Sequence, residues 1–238
     1  MHFIIMHKTN AHWEAGATPD AALIERVGRL IGDMSTAGVF VSGEGLRASS
    51  LGVRLRFSGG VRTIIRGPFD GDNELPAGFD IVRGTSLEDA IEWATRQAGI
   101  LCDVEVDIRP VTEPWEIGLA PKPAVATSHR YMVLRKATRA TEASIAPSKE
   151  QRAALARQAG ETTGVVIASI AMRPSARGRR YRNSAGGLRV IDGPFIESKE
   201  LIAGYVIVSS SSLDEASRWA EKYIGAVAAD EVDVRELE

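Results

Sequence analysis

The stretch Asp192-Gly193-Pro194-Phe195-Ile196-Glu197-Ser198-Lys199-Glu200 gathers three carboxylates and one ammonium around a single turn. Proline fixes its own backbone φ angle, so the turn is stiff and a side chain just before it keeps few orientations. A carboxylate held that way acts as a general base when burial lifts its pKa toward neutrality. Asp192 is the candidate catalytic residue; Lys199, its charged neighbour, and Tyr205, its hydrogen-bond partner on the next strand, are ligand-binding candidates. The bland reading is that Asp192 accepts hydrogen bonds from the turn amides while the other charges are solvated.

A second group is basic. Arg173, Arg177, Arg179, Arg180, Arg182 and Arg189 fall on or beside one alternating segment. Strand alternation puts Arg180 and Arg182 on one side and Arg179, Tyr181 and Asn183 on the other. Guanidinium groups bind carboxylate or phosphate through paired hydrogen bonds, so Arg173 and Arg180 are the expected grip on a small anionic ligand. The competing reading is an edge hairpin kept unpaired by its charge. His2, His7 and His12 cluster near the start, but alternation sends His2 and His7 to opposite faces. With no HxH, HExxH or helical histidine pair, no metal is expected. His7 titrates near neutral pH if it is accessible and stands as a ligand-binding candidate. Gly43-Glu44-Gly45 is too short for a phosphate loop, and no GxGxxG, GxxxxGK or GxSxG occurs, so no cofactor is expected. The single cysteine, Cys102, has no basic neighbour and reads as structural.

The elements that position these residues are written twice. A shift of 126 lays Gly67-Pro68-Phe69 on Gly193-Pro194-Phe195 and Val106-Asp107-Ile108-Arg109 on Val232-Asp233-Val234-Arg235. From Gly38 to Arg109 the two runs align without a gap, with 29 identities in 72 pairs, against roughly one in sixteen for unrelated chains. Phe3 to Lys8 match Tyr131 to Lys136 at a shift of 128. Two domains follow, 1–109 and 128–238, joined by a proline-containing linker over 110–127.

Within the first copy, residues 2–8 read as a strand, and Thr18-Pro19 as the start of a helix with Leu23, Val27, Leu30, Ile31 and Met34 on its buried stripe. Gly38 ends that helix. Val39 to Leu46 reads as a strand, Val53 to Ile65 as a hairpin turning at Ser58-Gly59-Gly60, and Gly78 to Val82 as another strand. Ser86-Leu87-Glu88-Asp89, matched by Ser212-Leu213-Asp214-Glu215, opens a second helix whose inner face holds Trp93 in one copy and Trp219 in the other. The order per copy is β-α-β-hairpin-β-α-β, a ferredoxin-like α+β layer with both helices on one face of an antiparallel sheet. The bare face needs a cover, and the second copy supplies it, as an intramolecular pseudo-dimer packed sheet to sheet.

Composition agrees. An apolar share of 44% with 25% charged residues marks a globular chain. The balance of 29 Lys+Arg against 31 Asp+Glu gives a net charge of -2, which offers no global field for nucleic acid or an anionic membrane. No apolar run approaches the roughly 18 residues of a membrane span. A soluble, cytoplasmic protein with no nucleic-acid or membrane partner is expected, and a further homodimer stays open.

The Asp192-Gly193-Pro194-Phe195 motif, with Gly204-Tyr205, Asp214-Glu215-Ala216, Trp219-Ala220 and Val232-Asp233-Val234-Arg235, resembles the DGPF or YCII-related family, and Gly43-Glu44-Gly45-Leu46 with Gly67-Pro68-Phe69 extends the resemblance to the first copy. The resemblance implies a dimeric α+β barrel, here with both halves in one chain, and a family whose activity is largely unassigned. Some members are proposed to use a histidine on the first helix with an aspartate as an acid/base pair. This chain has no histidine between His12 and His129, so neither first helix carries one. In the first copy Arg66 stands where the motif has aspartate, and Asp70-Gly71-Asp72-Asn73 where the second copy has Ile196-Glu197-Ser198-Lys199. Any reaction is therefore expected in the second copy. Two function classes remain: a small-molecule binder or enzyme of unassigned reaction, and a noncatalytic regulatory or assembly module.

Overall fold

The computed structural model describes residues 1–69, 71, 74–102, 104–124, 127–195 and 198–238. Asp70, Asp72, Asn73, Ile196 and Glu197 of the two motif segments lie outside the described residues. The first copy runs β1 (His2–Lys8), α1 (Ala11–Glu14), α2 (Ala21–Thr36), β2 (Phe40–Gly45), β3 (Val53–Ser58), β4 (Val61–Arg66), β5 (Pro76–Gly84), α3 (Leu87–Leu101) and β6 (Glu105–Pro110). The second repeats it as β7 (His129–Lys136), α4 (Arg139–Glu142), α5 (Lys149–Glu161), β8 (Val166–Ala171), β9 (Gly178–Ser184), β10 (Gly187–Asp192), β11 (Ile202–Ser209), α6 (Leu213–Val227) and β12 (Glu231–Glu236).

Local chemistry sets most boundaries. Helix α2 starts after Asp20 rather than at Thr18-Pro19, because the Asp20 carboxylate accepts the Leu23 amide at 2.7 Å and satisfies a free donor of the first turn. Gly38, just past its end, has φ +70°, a conformation costly for other residues. Gly59 and Gly60 both have positive φ and close the β3–β4 hairpin. Ser86 and Asp89 form a reciprocal capping box on α3.

The strands form two antiparallel six-stranded sheets, in the orders β10-β9-β12-β1-β11-β2 and β4-β3-β6-β7-β5-β8. The two orders are equivalent, yet neither sheet comes from one copy. The β1-α2-β2 unit of the first copy inserts into strands of the second, with β1 between β11 and β12, while β7-α5-β8 inserts reciprocally beside β5 and β6. The expectation that 1–109 and 128–238 each complete their own sheet therefore gives way to an exchange. Because the copies present equivalent neighbouring strands, β1 meets equivalent partners on either side, and the path of the chain decides. After β2, Leu46 bridges Val111 of the opposite sheet, so the chain crosses over instead of turning back.

Hydrogen bonds stitch the sheets at both crossings. Arg47 N–H donates to Pro110 O at 3.0 Å and Thr112 N–H to Gly45 O at 2.8 Å; in the other copy Arg173 N–H donates to Glu236 O at 2.9 Å and Glu238 N–H to Ala171 O at 3.0 Å. Part of the linker is thus ordered, with Val111 and Glu113 buried.

Three apolar clusters give four layers. One, including Phe3, Ile5, Met34, Tyr181, Tyr223 and Val234, lies between the first sheet and helices α2 and α6. Another, including Leu55, Trp93, Ala94, Val106 and Val133, lies beneath α3. The third joins Ile4, Met6, Tyr205 and Ile207 of one sheet to Phe79, Ile81, Met132 and Leu134 of the other. Trp93 is 4% exposed, whereas Trp219 is only partly buried and packs at the margin of its cluster.

Candidate functional site

The Gly-Pro-Phe turns are built by close approach. A Cβ on Gly193 would lie 1.8 Å from Ser175 O, and one on Gly67 1.9 Å from Ser49 O, so only glycine fits. Buried Ser175 Oγ accepts the Phe195 amide at 3.0 Å and donates to Glu142; Ser49 Oγ accepts the Phe69 amide at 3.1 Å and donates to Glu14 at 2.5 Å. Buried Arg235 and Arg109 steady the same carboxylates and also bond the carbonyls of Arg173 and Arg47. This framework sets each phenylalanine ring over a buried arginine, Phe195 at 4.5 Å from Arg180 and Phe69 at 4.6 Å from Arg54.

Each of those arginines anchors a buried ion network, and the two networks differ. In the first-copy motif, Arg54 bonds Asp107 at 2.6 and 2.9 Å and Glu74 at 2.9 and 3.0 Å, while Lys136 bonds Asp107 at 3.0 Å and also Glu74. In the second, Arg180 bonds Asp233 at 2.6 and 2.9 Å and Glu231 at 3.1 Å, while Lys8 bonds Asp233 at 3.0 Å and Ser198 Oγ at 2.8 Å. Burial works to raise the Asp233 pKa, but Lys8 and Arg180 outweigh it and hold the carboxyl below its ordinary range. The counterpart of Glu74 is Glu200, 126 positions on. Glu74 is 1% exposed, whereas Glu200 faces solvent and lines, with Arg180, Arg182 and Lys199, a pocket of about 250 Å³. Among the described residues, the cations Lys8, Arg180, Arg182 and Lys199 around that pocket meet three carboxylates, Glu200, Glu231 and Asp233. The first-copy loop closes behind it: Glu74 N–H donates to Ser198 O at 2.6 Å, and a Cβ on Gly71 would meet Lys199 O at 1.7 Å.

The structure brings Arg180 and Lys199 together and separates the other expected site residues. Asp192 pairs across strands with Arg179, on the face opposite Arg180; its side chain is 78% exposed and bonds Arg179 Nε at 2.9 Å. Tyr205 is three strands further in than β9, buried against Phe79 with ring centroids 4.9 Å apart, and does not partner Asp192. Burial, then the Glu44 carboxylate, push the Tyr205 hydroxyl above its ordinary pKa, so it stays neutral. Arg173 pairs with Glu236 at 3.3 Å, and Glu236 is three residues from Asp233 on β12, so the partners of Arg173 and Arg180 point to opposite faces. Arg173 and Arg180 therefore do not converge, whereas Arg180, Arg182 and Lys199 line one pocket.

His7 lies on the helix side of β1, with Nδ1 2.8 Å from the Tyr223 hydroxyl. Burial lowers its pKa to about 4, against a weaker opposite pull from a hydrogen bond to the Gly204 backbone. The ring is neutral at physiological pH rather than poised near neutrality. The unfolded chain binds this proton between pH 6.5 and about 4 and the folded chain does not, so the His7 contribution to stability is complete above pH 6.5 and is lost as the pH falls to about 4. A His7→Gln variant is expected to show a flatter fall in denaturant-unfolding free energy across that window. An unchanged slope would mean the ring protonates freely in the folded protein.

The sequence reading missed Lys8, Asp233, Glu74 and the Ser175–Glu142–Arg235 framework. Their signal was present: Lys8, Glu14, Ser49, Glu74, Asp107 and Arg109 all recur in the second copy, at shifts of 128 or 126. Among the described residues, no group of three or more His, Cys, Asp or Glu could hold a metal ion, and no helix is long and apolar enough to cross a membrane.

Residues 129–237 match the family model of the YCII-related domain. A protein of Rhizobium meliloti (strain 1021), described as uncharacterized, is 43% identical over 47 residues, which cover 20% of this chain and 38% of that protein. No solved structure gives a significant match.

Proposed function

From a chain whose residues 129–237 are a YCII-related domain, we propose a small-anion-binding protein, with its site at Arg180, Arg182 and Lys199. The observation that carries this reading is internal to the chain. In the first-copy network the Glu74 carboxylate sits on Arg54 and Lys136; in the second the matching Glu200 is turned to solvent, with a pocket beside Arg180. The Glu74 carboxylate shows how such an arginine–lysine pair receives an anion, and a ligand carboxylate or phosphate in the pocket adds to the contacts that Arg180 already makes, held by Arg182 and Lys199. A volume of about 250 Å³, just below the usual range for drug-sized ligands, suits a small ligand.

Binding is favoured over catalysis because Asp192 faces away from the pocket. The two stitched sheets, with exchanged repeats and a filled apolar interior, act as the scaffold, a pseudo-dimeric α+β barrel within one chain. That interior leaves the ligand to the rim.

Titration calorimetry with inorganic phosphate and with citrate tests the reading. At least one is expected to bind, more weakly as salt rises, and the Arg182→Ala/Lys199→Ala double variant is expected to lose about tenfold or more in affinity while unfolding near the wild-type midpoint, since both side chains are exposed. Binding that is unaffected by the double substitution, or no binding of either anion, would overturn it.

A further inference from the structure

The two buried ion networks share a core of arginine, lysine and aspartate: Arg54, Lys136 and Asp107 in one half, Arg180, Lys8 and Asp233 in the other. In the second network the position of Glu74 is held by Glu200, which faces solvent, and Ser198 Oγ meets the Lys8 ammonium at 2.8 Å instead. The core therefore assembles without a seated glutamate. Glu74 is an occupant added to the first copy's unit.

It sits there as a bound carboxylate would. Arg54 Nη2 donates to Oε1 at 2.9 Å and to Oε2 at 3.0 Å, Lys136 Nζ meets Oε2, and the Phe69 ring lies over the Arg54 guanidinium at 4.6 Å. All three charged side chains are buried, where charge-assisted hydrogen bonds are strongest. The backbone beside them is fastened separately. Glu74 N–H donates to Ser198 O at 2.6 Å, Ala137 N–H donates to Leu75 O at 2.7 Å, and the Leu75 side chain is buried. These ties hold the segment over the two cations independently of the Glu74 side chain.

Resting on the reading of an arginine–lysine pair as a seat for an anion, we propose that Arg54 and Lys136 form a second carboxylate site, which the chain fills with its own Glu74. The ligand class is the small aliphatic monocarboxylate. Acetate is the closest match, because the atoms that Glu74→Ala removes are those of acetate. In the native chain the tethered carboxylate has a high effective concentration and excludes free ones. Of two sites built on one design, the chain keeps one open and one closed.

The test is thermal unfolding of Glu74→Ala in sodium acetate, in sodium chloride at equal ionic strength, and in acetamide, the neutral isostere. Every chain compared carries Arg182→Ala/Lys199→Ala, so that the open pocket contributes nothing. Acetate well above its Kd is expected to raise the Glu74→Ala midpoint by about 5 °C or more over chloride. Acetamide is expected to leave it unchanged, as is acetate in the chain that keeps Glu74. Adding Lys136→Met removes one of the two cations and is expected to abolish the acetate shift. If Glu74→Ala is unfolded in chloride, circular dichroism is expected to show folding restored by acetate and not by acetamide. A response to acetate no larger than to chloride, an equal response to acetamide, an equal acetate response with Glu74 in place, or one that survives Lys136→Met overturns the proposal. A native chain that binds neither phosphate nor citrate would instead overturn the open pocket alone.

Discussion

Asp233→Ala is expected to destabilise the protein by about 3 to 5 kcal/mol, the usual cost of removing one member of a buried ion pair. For a chain of this size that lowers the midpoint of thermal unfolding by about 6 to 20 °C. Asp233 is fully buried and serves two cations at once, Lys8 and Arg180, whose side chains are 2% and 6% exposed. Without it, among the described residues, the Lys8 ammonium keeps the Ser198 Oγ contact, and Arg180 keeps Glu231 at 3.1 Å. The loss also cuts a tie across the exchanged repeats, because Lys8 comes from β1 and Asp233 from β12. Since the folded pKa of Asp233 lies below its unfolded value, its contribution is present above about pH 4 and lost as the pH falls through the folded value. The comparison of Glu74→Ala with Glu200→Ala sharpens the measurement: the first removes a buried partner of Arg54 and Lys136, the second an exposed side chain. A small effect of Asp233→Ala, or equal effects of the two glutamate variants, would contradict the network described.

Gly193→Ala is expected to cost about 3 kcal/mol or more, at the severe end of overpacking, while the adjacent Asp192→Asn changes stability by less than about 1 kcal/mol. The added methyl would sit 1.8 Å from Ser175 O and 3.1 Å from the Ala176 Cα, both backbone atoms that no rotamer change moves aside. Relief requires the turn to lift, which pulls the Phe195 amide from Ser175 Oγ and the ring from Arg180. Anion binding is therefore expected to fall with stability in Gly193→Ala. Asp192 loses only an exposed pairing with Arg179, which keeps its contact with Asp214. Denaturant unfolding and phosphate titration of the two variants give the check. A mild Gly193→Ala with a severe Asp192→Asn would return the motif carboxylate to the centre of the site.

Much of this was legible in the residues alone. The repeat, the element order, the Ser86 and Ser212 caps and the Gly59-Gly60 turn follow from spacing and local hydrogen bonding, which act over a few residues and leave their mark in sequence. Strand alternation also placed Arg180 and Arg182 together and Arg179 apart. The exchange of β1-α2-β2 for β7-α5-β8 was not legible, because the copies offer matching partners and only the path through Leu46 and Val111 separates the two pairings. Nor was the standing of the motif. Its aspartate is its most reactive group, yet a register set by β9 and β10 turns Asp192 outward, and the glycine and phenylalanine carry the structural role. Burial separates Glu74 from Glu200 although the two are the same residue in matching positions. Residue type sets what chemistry is available; which carboxylate meets a buried cation depends on contacts between segments more than a hundred residues apart, and only the tertiary structure supplies those.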